Sequence, residues 1–84
     1  MSSDESGNVC KLVEEMAKAL VETPGEVAVR AVEWDQGTKL ELRVAATDMG
    51  RVIGKQGRTA RSLRAVLGAA GAKLNKRFTL EIVE

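Results

Sequence analysis

Three short runs of this chain alternate apolar and polar residues, and this alternation restricts the fold more than any other feature. Val27, Val29 and Ala31 share one side of the first run, and Ala28, Arg30, Val32 and Trp34 share the other. In the second, Leu40, Leu42 and Val44 alternate with Lys39, Glu41 and Arg43; in the third, Phe78, Leu80 and Ile82 alternate with Arg77, Thr79 and Glu81. Side chains along a strand point to opposite faces in turn, so each run has one side for a core and one for water. A sheet of such strands is covered on one face only. Asp35-Gln36-Gly37 separates the first two runs, with Gly37 able to supply a positive φ, which predicts an antiparallel hairpin over Glu26–Trp34 and the run that follows. About thirty residues separate the second run from the third, long enough for a crossover, so these two can lie parallel.

The intervening segments have the other period. Val9, Leu12, Val13, Met16 and Leu20 fall on one helical stripe, with Asn8 suited to the N-cap and Thr23-Pro24-Gly25 to ending the helix. Asp48 can cap a short helix over Met49–Ile53. A third helix follows from Arg58, with Ala60, Leu63, Leu67 and Ala70 inward, Val66 at the margin, Gly71 as its C′ residue and a basic loop over 71–76. The predicted order is α-β-β-α-α-β. The fold class is two-layer α+β, a three-stranded mixed sheet covered on one face by three helices. Residues 1–7 read as a disordered N-terminal tail and 8–84 as a single domain.

Composition removes several function classes. With no His and no Tyr, most general-base, triad and zinc chemistries are missing, and no acid–base pair is visible near the Gly-rich loop at residue 54. No catalytic residue, metal site or cofactor is expected. The single cysteine, Cys10, cannot form an internal disulfide, and with no His beside it reads as a packed thiol. No apolar run reaches membrane-spanning length and no leader pattern opens the sequence, so no membrane association is expected and the location reads as cytoplasmic.

The net charge of +1 conceals an asymmetry. Residues 1–47 carry five Lys/Arg against nine Asp/Glu, whereas residues 48–84 carry eight against three. Arg51, Lys55, Arg58, Arg61, Arg64, Lys73, Lys76 and Arg77 follow one another without an intervening acid. Neighbouring like charges repel, so an uncompensated basic stretch suggests an anionic partner. Within it, Gly54-Lys55-Gln56-Gly57 lies between two helices. Two glycines permit a tight turn with bare backbone, and the N-terminal amides of the next helix point to the same place. Lys55 and Arg58 add charge there. This is not a Walker A loop, since G-x-x-x-x-G-K-[ST] is absent.

Val52-Ile53-Gly54-Lys55-Gln56-Gly57-Arg58-Thr59 resembles the signature loop of KH domains. The order of elements resembles the type II, prokaryotic form, and the minimal length resembles the small single-domain bacterial members. The resemblance implies a single-stranded RNA-binding module, an RNA chaperone or post-transcriptional regulator, whose loop clamps about four nucleotides by their backbone. It implies a groove with Gly54, Lys55, Gln56, Gly57, Arg58, Arg51 and Arg61 on one side and Lys73, Lys76 and Arg77 on the other. Arg64, rotated by about 60° from Arg61, is expected on a solvated or partner-facing surface. KH domains usually carry a bulky aliphatic residue where this chain has Ala60. The resemblance also implies pairing, as a homodimer or as a heterodimer with a larger Jag-type KH protein. A protein–protein adaptor on the same scaffold is the alternative function. An RNA surface of the aromatic-sheet type is disfavoured, because Trp34 and Phe78 are the only aromatic residues.

Overall fold

The computed structural model describes the backbone of residues 2–84 and the side chains from Gly7 onward. Its elements are α1 (Ser2–Leu20), β1 (Ala28–Trp34), β2 (Gly37–Arg43), α2 (Met49–Ile53), α3 (Arg58–Leu74) and β3 (Phe78–Val83), with single 3-10 turns at Pro24–Glu26, Ala46–Asp48 and Lys55–Gly57. The sheet order is β1-β2-β3. β1 runs antiparallel to β2, with Val29 opposite Leu42 and Trp34 opposite Gly37. β2 runs parallel to β3, with Thr38 beside Phe78 and Leu42 beside Ile82. The α+β class, the mixed three-stranded sheet and the order of elements all follow the sequence reading.

The core lies between the helices and one face of the sheet. Leu40 and Leu42 of the central strand are fully buried, together with Val13 of α1 and Val52 of α2, and Leu67 of α3 is nearly so. At the close of the hairpin Gly37 has φ +135. The other face carries ion pairs instead, Arg30 with Glu41 at 2.7 Å and Lys39 with Glu81 at 3.7 Å.

Four local expectations are corrected. The helical backbone of α1 begins at Ser2, so Asn8 lies inside the helix rather than at its cap. The tail was expected over residues 1–7; of these, Met1 and the side chains of residues 1–6 lie outside the described residues. The buried stripe of α1 keeps Val9 and Val13 of the expected set and adds Ala17, whereas Leu12 and Leu20 stay 41% and 38% exposed. α3 does not stop at Gly71 but continues to Leu74, and Asn75 takes the left-handed C-cap conformation (φ 59, ψ 42). Gly71 is buried, and a Cβ there would collide with the carbonyl of Lys76 and approach the Phe78 ring to 3.3 Å, so close packing rather than a helix end requires the glycine. Finally, β1 starts at Ala28 rather than Glu26, since Pro24–Glu26 form a 3-10 turn.

Candidate nucleic-acid interface

The loop between α2 and α3 is built on a buried carboxylate. Asp48 is 1% exposed and does not cap α2; its side chain makes no capping hydrogen bond. Instead its two oxygens accept the backbone N–H groups of Glu22 (3.1 Å) and Thr23 (3.0 Å), just beyond the end of α1. Arg51 completes the joint, with Nε 3.6 Å from Asp48 and a terminal nitrogen 2.9 Å from Glu22. A carboxylate taken out of water requires such partners. The result fixes the start of α2 to the end of α1.

From that base α2 runs to Gly54, and the chain turns through three left-handed or positive-φ residues: Gly54 (φ 79), Gln56 (φ 57) and Gly57 (φ 74). Gly54 is required on two counts. Its φ disfavours a side chain, and a Cβ would clash with the Thr59 hydroxyl and lie 2.8 Å from the Thr59 amide nitrogen. Gly57 differs, since a Cβ there would meet nothing within 4 Å. Its bareness leaves open space over the backbone instead of relieving a contact. The Gly57 N–H donates to Gly54 O and the Arg58 N–H to Lys55 O. The amides of Lys55 and Gln56, at the start of this turn, therefore have no acceptor inside it.

Side chains gather around this turn. Arg58 donates to the Gln56 side-chain oxygen and Arg61 to the Gln56 carbonyl, both at 3.3 Å. Lys55, Gln56, Arg58 and Arg61 are exposed. None of Lys55, Arg58, Arg61 and Arg64 enters an ion pair among the described residues. Arg51, by contrast, has its guanidinium committed to Glu22 and Asp48. Ile53, 37% exposed, adds apolar surface beside Gly54. Ala60, the small residue at a usually bulky place, is buried.

Lys73, Lys76 and Arg77 are not brought to the loop. They follow the 17-residue α3 to its far end, roughly 22 Å of helical rise beyond Arg58. Between the two ends runs a cleft of about 200 Å³ lined by Arg64, Leu67, Phe78, Thr79 and Leu80. Arg64 thus stands on the rim of the cleft between α3 and the edge strand β3. Arg64 is exposed, as its rotation from Arg61 implies, and it also lines this cleft from the α3 side.

The arrangement can be compared with known proteins. The family model described as "KhpA/KhpB, KH domain" matches residues 10–82. The chain belongs to this KH-domain family. Relatives named "RNA-binding protein KhpA" include one from Borreliella burgdorferi, 45% identical over 95% of this chain and 98% of its own, and one from Clostridium acetobutylicum, 52% identical over 87% and 97%. Among solved structures, Aquifex aeolicus Era bound to GDP and aluminium fluoride aligns with a TM-score of 0.64 and 23% identity. That likeness covers 88% of this chain and 29% of Era, and it concerns the fold alone. The observed topology of this KH domain is the type II arrangement.

Cys10 is half-buried, and burial first, then the nearby Glu14 carboxylate, push its thiol up from the ordinary value. It stays protonated at neutral pH. Among the described residues no helix is long and apolar enough to cross a membrane, and no group of His, Cys, Asp and Glu can hold a metal.

Proposed function

We propose that this chain binds single-stranded RNA by its phosphate backbone, with the Gly54–Gly57 turn as the clamp, and serves in the cytoplasm as an RNA chaperone or post-transcriptional regulator. One observation carries the reading: bare backbone at Gly57, turn amides without an internal acceptor, and three unpaired cations converge on one exposed turn. The names of the relatives support RNA binding. Lys55, Arg58 and Arg61 supply the charge, and Arg64 meets the strand as it enters the cleft. Along that cleft the unpaired edge of β3 offers backbone donors and acceptors to base edges. Arg51 contributes mainly by holding the turn in place. A perfect duplex is a poorer ligand, because the cleft needs splayed bases.

Pairing fits a different surface. Met16, Ala19 and Leu20 of α1 face Ser62, Leu63 and Val66 of α3 across an apolar groove of about 320 Å³. Beside it Ala65 and Ala69 are exposed. A second KH protein, either another copy or a larger Jag-type relative, covers this groove and raises affinity by presenting two clamps to one strand. The clamp test is the double substitution Lys55→Asp with Gln56→Asp. Both side chains are exposed, so thermal stability stays within about 0.5 kcal/mol, while two carboxylates at the turn repel phosphate. Binding of a single-stranded oligonucleotide is expected to fall on the order of 100-fold; a folded variant binding as before places the clamp elsewhere.

A further inference from the structure

Only two aromatic residues occur in this chain, and the fold treats them oppositely. Phe78 is buried, whereas Trp34 remains 42% exposed at the end of β1. Trp34 pairs with Gly37 across the hairpin. Gly37 in turn abuts Arg77, whose carbonyl a Cβ at residue 37 would strike. Arg77 precedes the inward-facing Phe78, so by alternation it faces the open side of the sheet. Trp34, Gly37 and Arg77 therefore form one row on the uncovered face, and no side chain stands between the indole and the guanidinium. Lys39 lies in the next row with its Nζ 5.8 Å from the indole centroid. The same end of the molecule receives Lys73 and Lys76 from the end of α3.

Arg77 enters no ion pair among the described residues, and Lys39 holds Glu81 only at 3.7 Å. Glu33 is turned away, its carboxylate accepting the Thr38 hydroxyl on the other face at 3.1 Å. Asp35 in the hairpin turn is the nearest remaining acid in sequence. An exposed aromatic face beside cations suits a nucleobase with its phosphate, since every base has a face to stack. A route leads there from the clamp. The α3–β3 cleft runs from Arg64 to Phe78 and Thr79, and Arg77 is the next residue on its edge.

We propose that Trp34 and Arg77, with Lys39 beside them, form a second contact for single-stranded RNA, where a base leaving the α3–β3 cleft stacks on the indole and Arg77 takes its phosphate. The proposal rests on the Gly54–Gly57 turn as the clamp that delivers the strand. α3 is about 25 Å long, and at the roughly 3.4 Å of rise per nucleotide of a stacked strand at most some eight nucleotides cover it. A strand of four nucleotides ends in the clamp, while one of twelve reaches Trp34.

The test uses the intact chain and oligoadenylates of four and twelve nucleotides. With one Trp and no Tyr, the intrinsic emission comes from residue 34 alone. The twelve-nucleotide strand is expected to quench it, and the four-nucleotide strand to bind without doing so. Trp34→Ala and Arg77→Ala should each weaken binding of the longer strand by at least about fivefold, measured by anisotropy of a labelled oligonucleotide, and leave the shorter unaffected. Binding of the twelve-nucleotide strand with unmoved emission and neutral variants overturns this contact and leaves the clamp standing. Variants that alter sedimentation but not affinity also overturn it, and assign the row to a protein interface. Failure of both strands to bind overturns clamp and contact together.

Discussion

The two ends of α3 are both basic, yet they are built differently. At its start, Lys55, Arg58 and Arg61 surround a turn of left-handed backbone. That turn is anchored through α2 to the buried Asp48. At its end, Lys73, Lys76 and Arg77 follow an Asn75 cap, and the chain there is held by packing of the buried Gly71 against Lys76 and Phe78. Charge is common to both ends, but only the first combines it with bare backbone and unpaired amides. A phosphate clamp needs this combination, because a diffuse cationic field attracts RNA without fixing its register.

Removing the anchor should separate the ends most sharply. Asp48→Ala deprives the part-buried N–H groups of Glu22 and Thr23 of their acceptor and frees Arg51, and is expected to destabilise the domain by about 3 kcal/mol. A thermal melt should move down by more than ~10 °C. A change below 2 °C would show that the turn does not depend on this joint. The two glycines of the turn come next. Gly54→Ala combines positive φ with a clash on Thr59 and should cost about 2–3 kcal/mol. Gly57→Ala meets only the φ penalty, about 1 kcal/mol, but its methyl group enters the space left for the strand. Gly54→Ala should therefore act chiefly on stability and Gly57→Ala chiefly on affinity. Equal loss of affinity per unit of stability in both would remove the distinction between a structural and a ligand-facing glycine.

Smaller still is the comparison of single cations. With a four-nucleotide strand, Arg58→Ala should weaken binding on the order of fivefold for every sequence tested, and Arg77→Ala should leave it unchanged. Equal effects would mean that the basic stretch acts as a field rather than as two separate sites.

The same contrast explains what the sequence made visible. Periods of two and near 3.6 residues are local, so the strands, their order and most of the inward residues could be read directly. The spacing Gly54-x-x-Gly57 is also local, and the turn was found from it. The role of Asp48 was not, because its partners are amides of Glu22 and Thr23, far away in sequence, and an Asp before a helix has an ordinary use as a cap. Gly71 looked like a helix end for a similar reason. Its lack of a Cβ answers to Lys76 and Phe78 across a reversal of the chain. Arg64 and the cations 73, 76 and 77 depended on where β3 lies relative to α3, which no helical wheel contains. Charge was easy to count in the sequence, whereas its distribution along α3 required the packing.

The salt dependence of affinity tests the clamp most directly. Lys55, Arg58, Arg61 and Arg64 supply about four phosphate contacts, so with a strand of six nucleotides, which carries about five phosphates and stops short of Trp34, log K should fall against log salt with a slope near −3, and affinity should drop about 50-fold between 50 and 200 mM. Arg58→Ala should make that slope shallower by about 0.7. A slope near zero, or one that Arg58→Ala leaves unchanged, would contradict the assignment of the Gly54–Gly57 turn as the site that holds the RNA backbone.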